Sequence, residues 1–117
     1  MTKKIKINYV EFPVKDINKA KSFYGDTFGW TFLDYGQDYC AFSDGDMDGG
    51  FYTSRLSSKT SNGAVLIVLY SENLESMHDL VTKHGGVIVK EIFSFPGGRR
   101  FHFEDPSGNE LAVWSDN

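Results

Sequence analysis

The sequence predicts an α+β fold built from two paired βαβββ modules. Three observations carry this reading. An alternating strand-like run followed by an amphipathic helix occurs twice, the matching landmarks of the two copies lie 57 residues apart, and each helix is followed by three strand-like runs separated by turn residues.

The first copy opens with alternation from Ile7 to Val14, which places Val10, Phe12 and Val14 on one face and Tyr9, Glu11 and Pro13 on the other. Asp16 has the chemistry of a helix N-cap. Ile17, Ala20, Tyr24 and Phe28 follow at helical spacing, and Gly29 can take the left-handed conformation that stops the helix. Strand-like runs at about 30–35, 38–43 and 49–53 complete this copy, divided by "YGQD" and "SDGD". The stretch "SRLSSKTSNG" is polar and small and reads as a surface linker. The second copy opens with "AVLIVLY". Asn73 then serves as N-cap, Leu74, Met77 and Val81 form the apolar stripe, and Gly86 is the expected stop. Its three strands fall at about 86–93, 98–104 and 109–115, divided by "FPGG" and "DPSGN". Neither copy could bury its sheet alone, so residues 1–117 are expected to form one domain: module one at 5–53, a linker at 54–63 and module two at 64–115.

Composition narrows the function. Forty per cent hydrophobic residues, ten of them phenylalanine, suffice for a packed interior. A formal charge of −4 with only two basic pairs, Lys3-Lys4 and Arg99-Arg100, does not suit a nucleic-acid surface. The N-terminal "MTKKIKINYV" lacks the apolar run of a signal peptide, and no segment is long enough for a membrane span. The single cysteine, Cys40, has no internal partner, alternates onto the helix-facing side and is expected to be buried and inert. A cytoplasmic protein is the resulting expectation.

Alternation also sorts the faces. Phe101 and Phe103, with Leu111 and Val113, must cover the helices, so the opposite face carries Arg100, His102, Glu104, Glu110, Ala112 and Trp114. Tyr9 and Glu11 join it from the first strand, Tyr39 and Ala41 from the third, and Leu66, Val68 and Tyr70 from the fifth. Aromatic and aliphatic groups with sparse polar handles are the lining of a small-molecule cleft, against the alternative of a solvated or interface face. Glu11 is either a rim carboxylate paired with a basic residue or a group that orients a ligand or takes a proton. His102 is either a packed histidine or a proton shuttle. Arg100 either pairs with Glu104 or Glu110 or grips a ligand anion.

The duplicated module, "VEFPVKDINKAKSFYGDTFGW" near the start and "GGRRFHFEDPSGNELAVW" near the end resemble the vicinal oxygen chelate family of glyoxalases, extradiol dioxygenases and bleomycin-resistance proteins. The resemblance runs from about Ile7 to Trp114 and implies a curled mixed sheet around a cleft, often completed by a homodimer. It also implies four metal-ligand positions, which align to Tyr9, Leu66, Ala112 and either Gly50 or Phe51. Leu66, Ala112, Gly50 and Phe51 offer no side-chain donor, so no metal and no cofactor are expected. The expected function is binding of a small organic molecule by Tyr9, Tyr39, Leu66, Val68, Tyr70, Arg100, Glu110, Ala112 and Trp114. The competing reading is a metal-free lyase or isomerase with Glu11 and His102 as base and acid.

Overall fold

A computed structural model describes residues 3–117; Met1 and Thr2, the first residues of the N-terminal stretch compared above with a signal peptide, lie outside the described residues. Strand β1 (Tyr9–Val14) leads into helix α1 (Ile17–Phe28), then β2 (Thr31–Asp34), β3 (Tyr39–Ser43) and β4 (Asp48–Thr53). A short 3-10 turn at Thr60–Asn62 precedes β5 (Ile67–Tyr70), helix α2 (Leu74–Lys83), β6 (Val87–Phe95), β7 (Gly98–Glu104) and β8 (Glu110–Ser115). Among the described residues no helix is long and apolar enough to cross a membrane.

Local chemistry sets the helix ends. The Asp16 carboxylate accepts from the Lys19 amide at 3.1 Å, and the Asn73 side chain accepts from the Ser76 amide at 3.0 Å. Gly29 ends α1 with φ of 76°. The repeat breaks at the second stop. Gly85, with φ of 100°, is the left-handed residue after α2, and Gly86 is not. Gly86 is needed for a different reason: a Cβ there would overlap Val81 and Phe23.

The strands form two four-stranded sheets, ordered β1-β4-β3-β2 and β5-β8-β7-β6. In each, the first and last strands of a module pair in parallel, as β1 with β4 and β5 with β8. The expected curled sheet around a cleft is not what forms: both sheets are open and neither closes on itself or on the other. The outer strands show why. Asp34 on the β2 edge is tied to Lys21 at 3.0 Å, and β6 carries Lys90 and Glu91 and loses regular register with β7 at two places. Charged, irregular edges stop a sheet from extending.

Between the sheets lies a core drawn from both modules. Trp30 stacks at 4.7 Å on both Tyr24 and Phe42, and Phe12 meets Phe51 edge-on at 5.1 Å. Phe103 of β7 packs at 5.9 Å against Phe23 and Phe28 of α1, which joins the second sheet to the first helix. Cys40 is fully buried in this core, and burial pushes its thiol up to about 11.

A polar knot supplements the core. The buried Asp105 carboxylate receives the Tyr24 hydroxyl at 2.7 Å, the Ser107 and Asn109 amides at 2.8 and 2.9 Å, and the Asn109 side-chain amide at 3.0 Å. Asn109 also donates to the Pro13 carbonyl at 2.6 Å, and Ser107 Oγ accepts from the Lys15 amide at 2.9 Å. Burial pushes the Asp105 carboxyl up, while these donors pull it back. Replacing Tyr24 with Phe removes one charged hydrogen bond from an inaccessible carboxylate. The variant should lose about 1.5–3 kcal/mol in urea unfolding, whereas Lys21→Met at the exposed edge should leave the urea midpoint nearly unchanged.

Candidate functional site

The first sheet turns one face to its helix and the core and leaves the other open. Register puts Tyr9 beside Asp48 and Ser43, and Glu11 beside Gly50 and Ala41. The Tyr39 hydroxyl donates to Glu11 Oε2 at 2.7 Å and lies 2.6 Å from the Tyr9 hydroxyl. A carboxylate only accepts, so the Tyr39 proton goes to Glu11 and Tyr9 donates to Tyr39. The chain of donors therefore runs Tyr9 to Tyr39 to Glu11, and the Tyr9 oxygen keeps a lone pair for an outside donor. Burial, then the bonds to Tyr9 and Glu11, push the Tyr39 phenol well up, which keeps it protonated. A pocket of about 590 Å³ lies on this face, with Tyr9, Tyr39, Ala41, Leu33 and Tyr35 in its lining.

Register also chooses between Gly50 and Phe51. Gly50 pairs with Glu11 and shares the open face, while Phe51 is fully buried in the core. A Cβ at Gly50 would overlap the Tyr39 hydroxyl, so glycine is what lets the tyrosine lie there.

The second sheet gathers the remaining candidates. Across it, Tyr70, Trp114 and Arg100 form one row, and Val68, Ala112 and His102 the next. Leu66 lies just ahead of β5 and is half-buried, and Ala112 is fully buried. Trp114 meets Tyr70 edge-on at 5.1 Å, and the Tyr70 hydroxyl donates to Asp116 at 2.6 Å.

Glu110 holds His102. Its Oε2 lies 2.8 Å from His102 Nδ1, and its Oε1 accepts from the Thr60 amide at 3.0 Å and the Thr60 hydroxyl at 2.7 Å. Burial raises the Glu110 carboxyl, but the bonds from His102 and Thr60 together outweigh it and leave the group below its ordinary 4.5. An ionised Glu110 obliges Nδ1 to donate, so a neutral His102 carries its lone pair on Nε2. Glu104 is claimed by Lys59 at 2.9 Å. Arg100 therefore pairs with neither Glu104 nor Glu110, and its guanidinium sits over the Phe93 and Phe95 rings at 5.4 and 5.7 Å.

Glu11 and His102 are not brought into contact. Among the described residues no hydrogen bond or ion pair joins them: Glu11 accepts from Tyr39, and His102 is bonded to Glu110. Glu11 and Glu110 do line one narrow cavity of about 210 Å³. Two groups of residues escaped sequence reasoning. Lys59 and Thr60 come from the stretch read as a plain linker, which folds back so that the Ser58 carbonyl receives the Glu110 amide at 2.8 Å. Its run of hydroxyl residues was the available signal, since Ser and Thr side chains cap turns and local backbone. Phe95 was missed because β6 runs two residues beyond its expected end.

The implied metal can be tested against these side chains. Tyr9 is engaged with Tyr39, Tyr39 covers Gly50, and Leu66 and Ala112 bring hydrocarbon only. Among the described residues no three His, Cys, Asp or Glu converge. The donor set does not fit a chelated divalent ion.

A model of the Glyoxalase/Bleomycin resistance protein/Dioxygenase superfamily matches residues 6–113. A glyoxylase-like domain-containing protein of Didymella fabae is 29% identical, with 92% of this chain and 91% of that protein covered. The genomically encoded fosfomycin resistance protein FosX of Listeria monocytogenes superposes with a TM-score of 0.81 at 13% identity, covering 98% of this chain and 96% of its own. A glyoxalase/bleomycin resistance protein/dioxygenase family enzyme of Burkholderia phytofirmans gives 0.79 at 14% identity, with 94% and 98% covered. At such identities these structures speak for the fold alone.

Because the folded protein holds Glu110 below 4.5, its contribution to stability is complete above that pH and is lost as pH falls through the lowered value. Urea midpoints measured from pH 6 down to pH 3 should fall, and Glu110→Gln should flatten part of that decline.

Proposed function

The chain belongs to the glyoxalase/bleomycin resistance protein/dioxygenase superfamily, and from that premise we propose that it binds a small organic molecule on the open face of its first sheet, without a chelated metal. The observation behind this reading is the pocket of about 590 Å³ lined by Tyr9 and Tyr39, whose hydroxyls are bonded in a chain that ends on Glu11, outside that lining. That volume suits a small ligand, and the walls are mainly aromatic and aliphatic. The Tyr9 oxygen accepts a hydrogen bond from a ligand hydroxyl or N–H, while Tyr39 and Glu11 hold it in place.

A second reading is a metal-free lyase or isomerase. It is favoured by the two oriented groups: Glu11 at the end of a phenol chain, and His102 set in one tautomer by Glu110. Binding is preferred because proton transfer alone contributes only about 10²–10⁴-fold, and the side chains at the implied ligand positions do not fit a chelated ion that would supply an electrophile. The proposal extends to a symmetric homodimer, supported by the exposure of Leu33, Tyr35, Val68 and Tyr70. Light scattering showing a monomer at micromolar concentration would remove that part alone.

Thermal-shift screening of small aromatic compounds against EDTA-treated protein tests the main reading. Hits should persist in EDTA, and Tyr9→Phe should weaken them by about 2–12-fold, the worth of one hydrogen bond. Hits that vanish with EDTA would overturn it. Turnover of a hit that Glu11→Gln or His102→Ala abolishes while binding survives would favour the enzyme.

A further inference from the structure

Strand register sorts the open face of the first sheet into rows that cross all four strands. Thr31, Ser43, Asp48 and Tyr9 form one row, and Leu33, Ala41, Gly50 and Glu11 the next. In a third row Tyr39 lies beside Tyr52, and its carbonyl accepts from the Tyr35 amide at 3.0 Å. Successive rows are two residues apart along each strand, or about 6.5–7 Å. The pocket of about 590 Å³ spans these rows. Its middle is low because Ala41 is small. One side is the pair of Tyr9 and Tyr39, which lean toward each other across the second row until their hydroxyls lie 2.6 Å apart. Tyr35 stands at one end, its ring 6.4 Å from that of Tyr39, and Asp48 stands with Thr31 and Ser43 at the other.

Charge in this lining has one sign. Asp48 is its only carboxylate, and no Lys, Arg or His lines the pocket. Asp48 makes no ion pair among the described residues. The Tyr9 oxygen faces the same end with a free lone pair, because its proton goes to Tyr39. Just outside the lining, Glu11 holds a second negative charge at the end of the phenol chain. The ring faces of Tyr35 and Tyr39 add the negative potential of aromatic π-systems.

A lone exposed carboxylate is ordinary, since water satisfies it. This one closes an aromatic-walled hollow that holds no counter-charge, and that setting discriminates among ligands. An anion would meet two carboxylates and no cation. A neutral molecule would leave Asp48 to water. A cation gains a charge-assisted bond to Asp48, a second acceptor in Tyr9 and the ring faces beyond. We propose that this pocket selects small organic cations, a protonated amine or amidine attached to a compact ring, and that Asp48 is the residue that selects them. The ammonium lies in the row of Asp48 and the ring lies over Ala41 toward Tyr35, a reach of about 13 Å from the first row to the third. This inference rests on the first-sheet reading above and adds the charge of its ligand.

The test is titration of the full chain at neutral pH with phenylethylamine, benzylamine and benzamidine. Phenylethanol, benzyl alcohol and benzamide serve as the uncharged counterparts, and phenylacetate as the anion. Backbone amide shifts of Ala41, Ser43 and Gly49 locate the ligand. At least one cation should bind about fivefold or more tighter than its uncharged counterpart, with phenylacetate weakest. Added salt should narrow that gap, and Asp48→Asn should bring cation and neutral partner within about twofold. Ala41→Leu, which fills the floor, should remove both; should it fail to fold, the wild-type amide shifts assign the face. A preference for cations that survives Asp48→Asn reflects only the net charge of −4, and the inference falls. Equal wild-type affinity for cation and neutral partner, with both lost in Ala41→Leu, overturns the inference and leaves the first-sheet reading standing. Unchanged affinities in Ala41→Leu place the ligand elsewhere and overturn both. No binding of any cation at millimolar concentration overturns the inference alone, because the thermal-shift screen judges the first-sheet reading separately.

Discussion

The Asp105 carboxylate is the constraint on which the relative placement of the two modules rests. It sits in the "DPSGN" turn between β7 and β8, yet its partners lie far off in the chain: Tyr24 on α1 directly, and Pro13 of β1 through Asn109. Hydrophobic contact between two sheets is non-directional and tolerates sliding. A buried carboxylate with four donors does not, because each lost donor leaves a charge unsatisfied in a low-dielectric interior. Gly108, at φ of 84°, gives the turn the shape that points two backbone amides at that carboxylate.

With the modules so held, the helix-facing sides are committed. Tyr24 stacks on Trp30, Trp30 on Phe42, and Phe103 fills against Phe23 and Phe28. The faces turned away from this core are left with side chains that hydrogen-bond among themselves. On the first sheet the phenol chain ends on Glu11, and on the second Thr60 and His102 converge on Glu110. Both arrangements depend on small residues beneath or beside them, Gly50 under Tyr39 and Ala112 beside His102.

Much of this was legible from residue order. Alternation sorted the faces of β1, β7 and β8 correctly, and Asp16, Asn73 and Gly29 marked helix ends as their chemistry requires. Gly86 misled because two consecutive glycines satisfy the same signal, and only the approach of Val81 and Phe23 assigns them different duties. Sheet closure was not readable, since it depends on what the edges of β2 and β6 present in space. The same holds for the partner of Arg100. Glu104 and Glu110 were the obvious candidates by alternation, but Lys59 and Thr60 reach them from a segment with no periodicity to announce its course.

That competition explains why a short hairpin carries Arg100, His102, Glu104 and Glu110 on one face. Glu104 and Glu110 stand directly opposite one another across β7 and β8, and each is answered by its own partners, Glu104 by Lys59 and Glu110 by Thr60 and His102. Glu110 then does two things with its two oxygens: one secures the linker through Thr60, and the other sets the orientation of His102. A chelated ion would need several anionic or imidazole donors pointing at one place. Here the acidic groups are spread over separate hydrogen-bonded pairs, and a phenol occupies the space over Gly50. On these faces Tyr9 and His102 each retain a free lone pair, and Arg100 is a cation without a carboxylate partner.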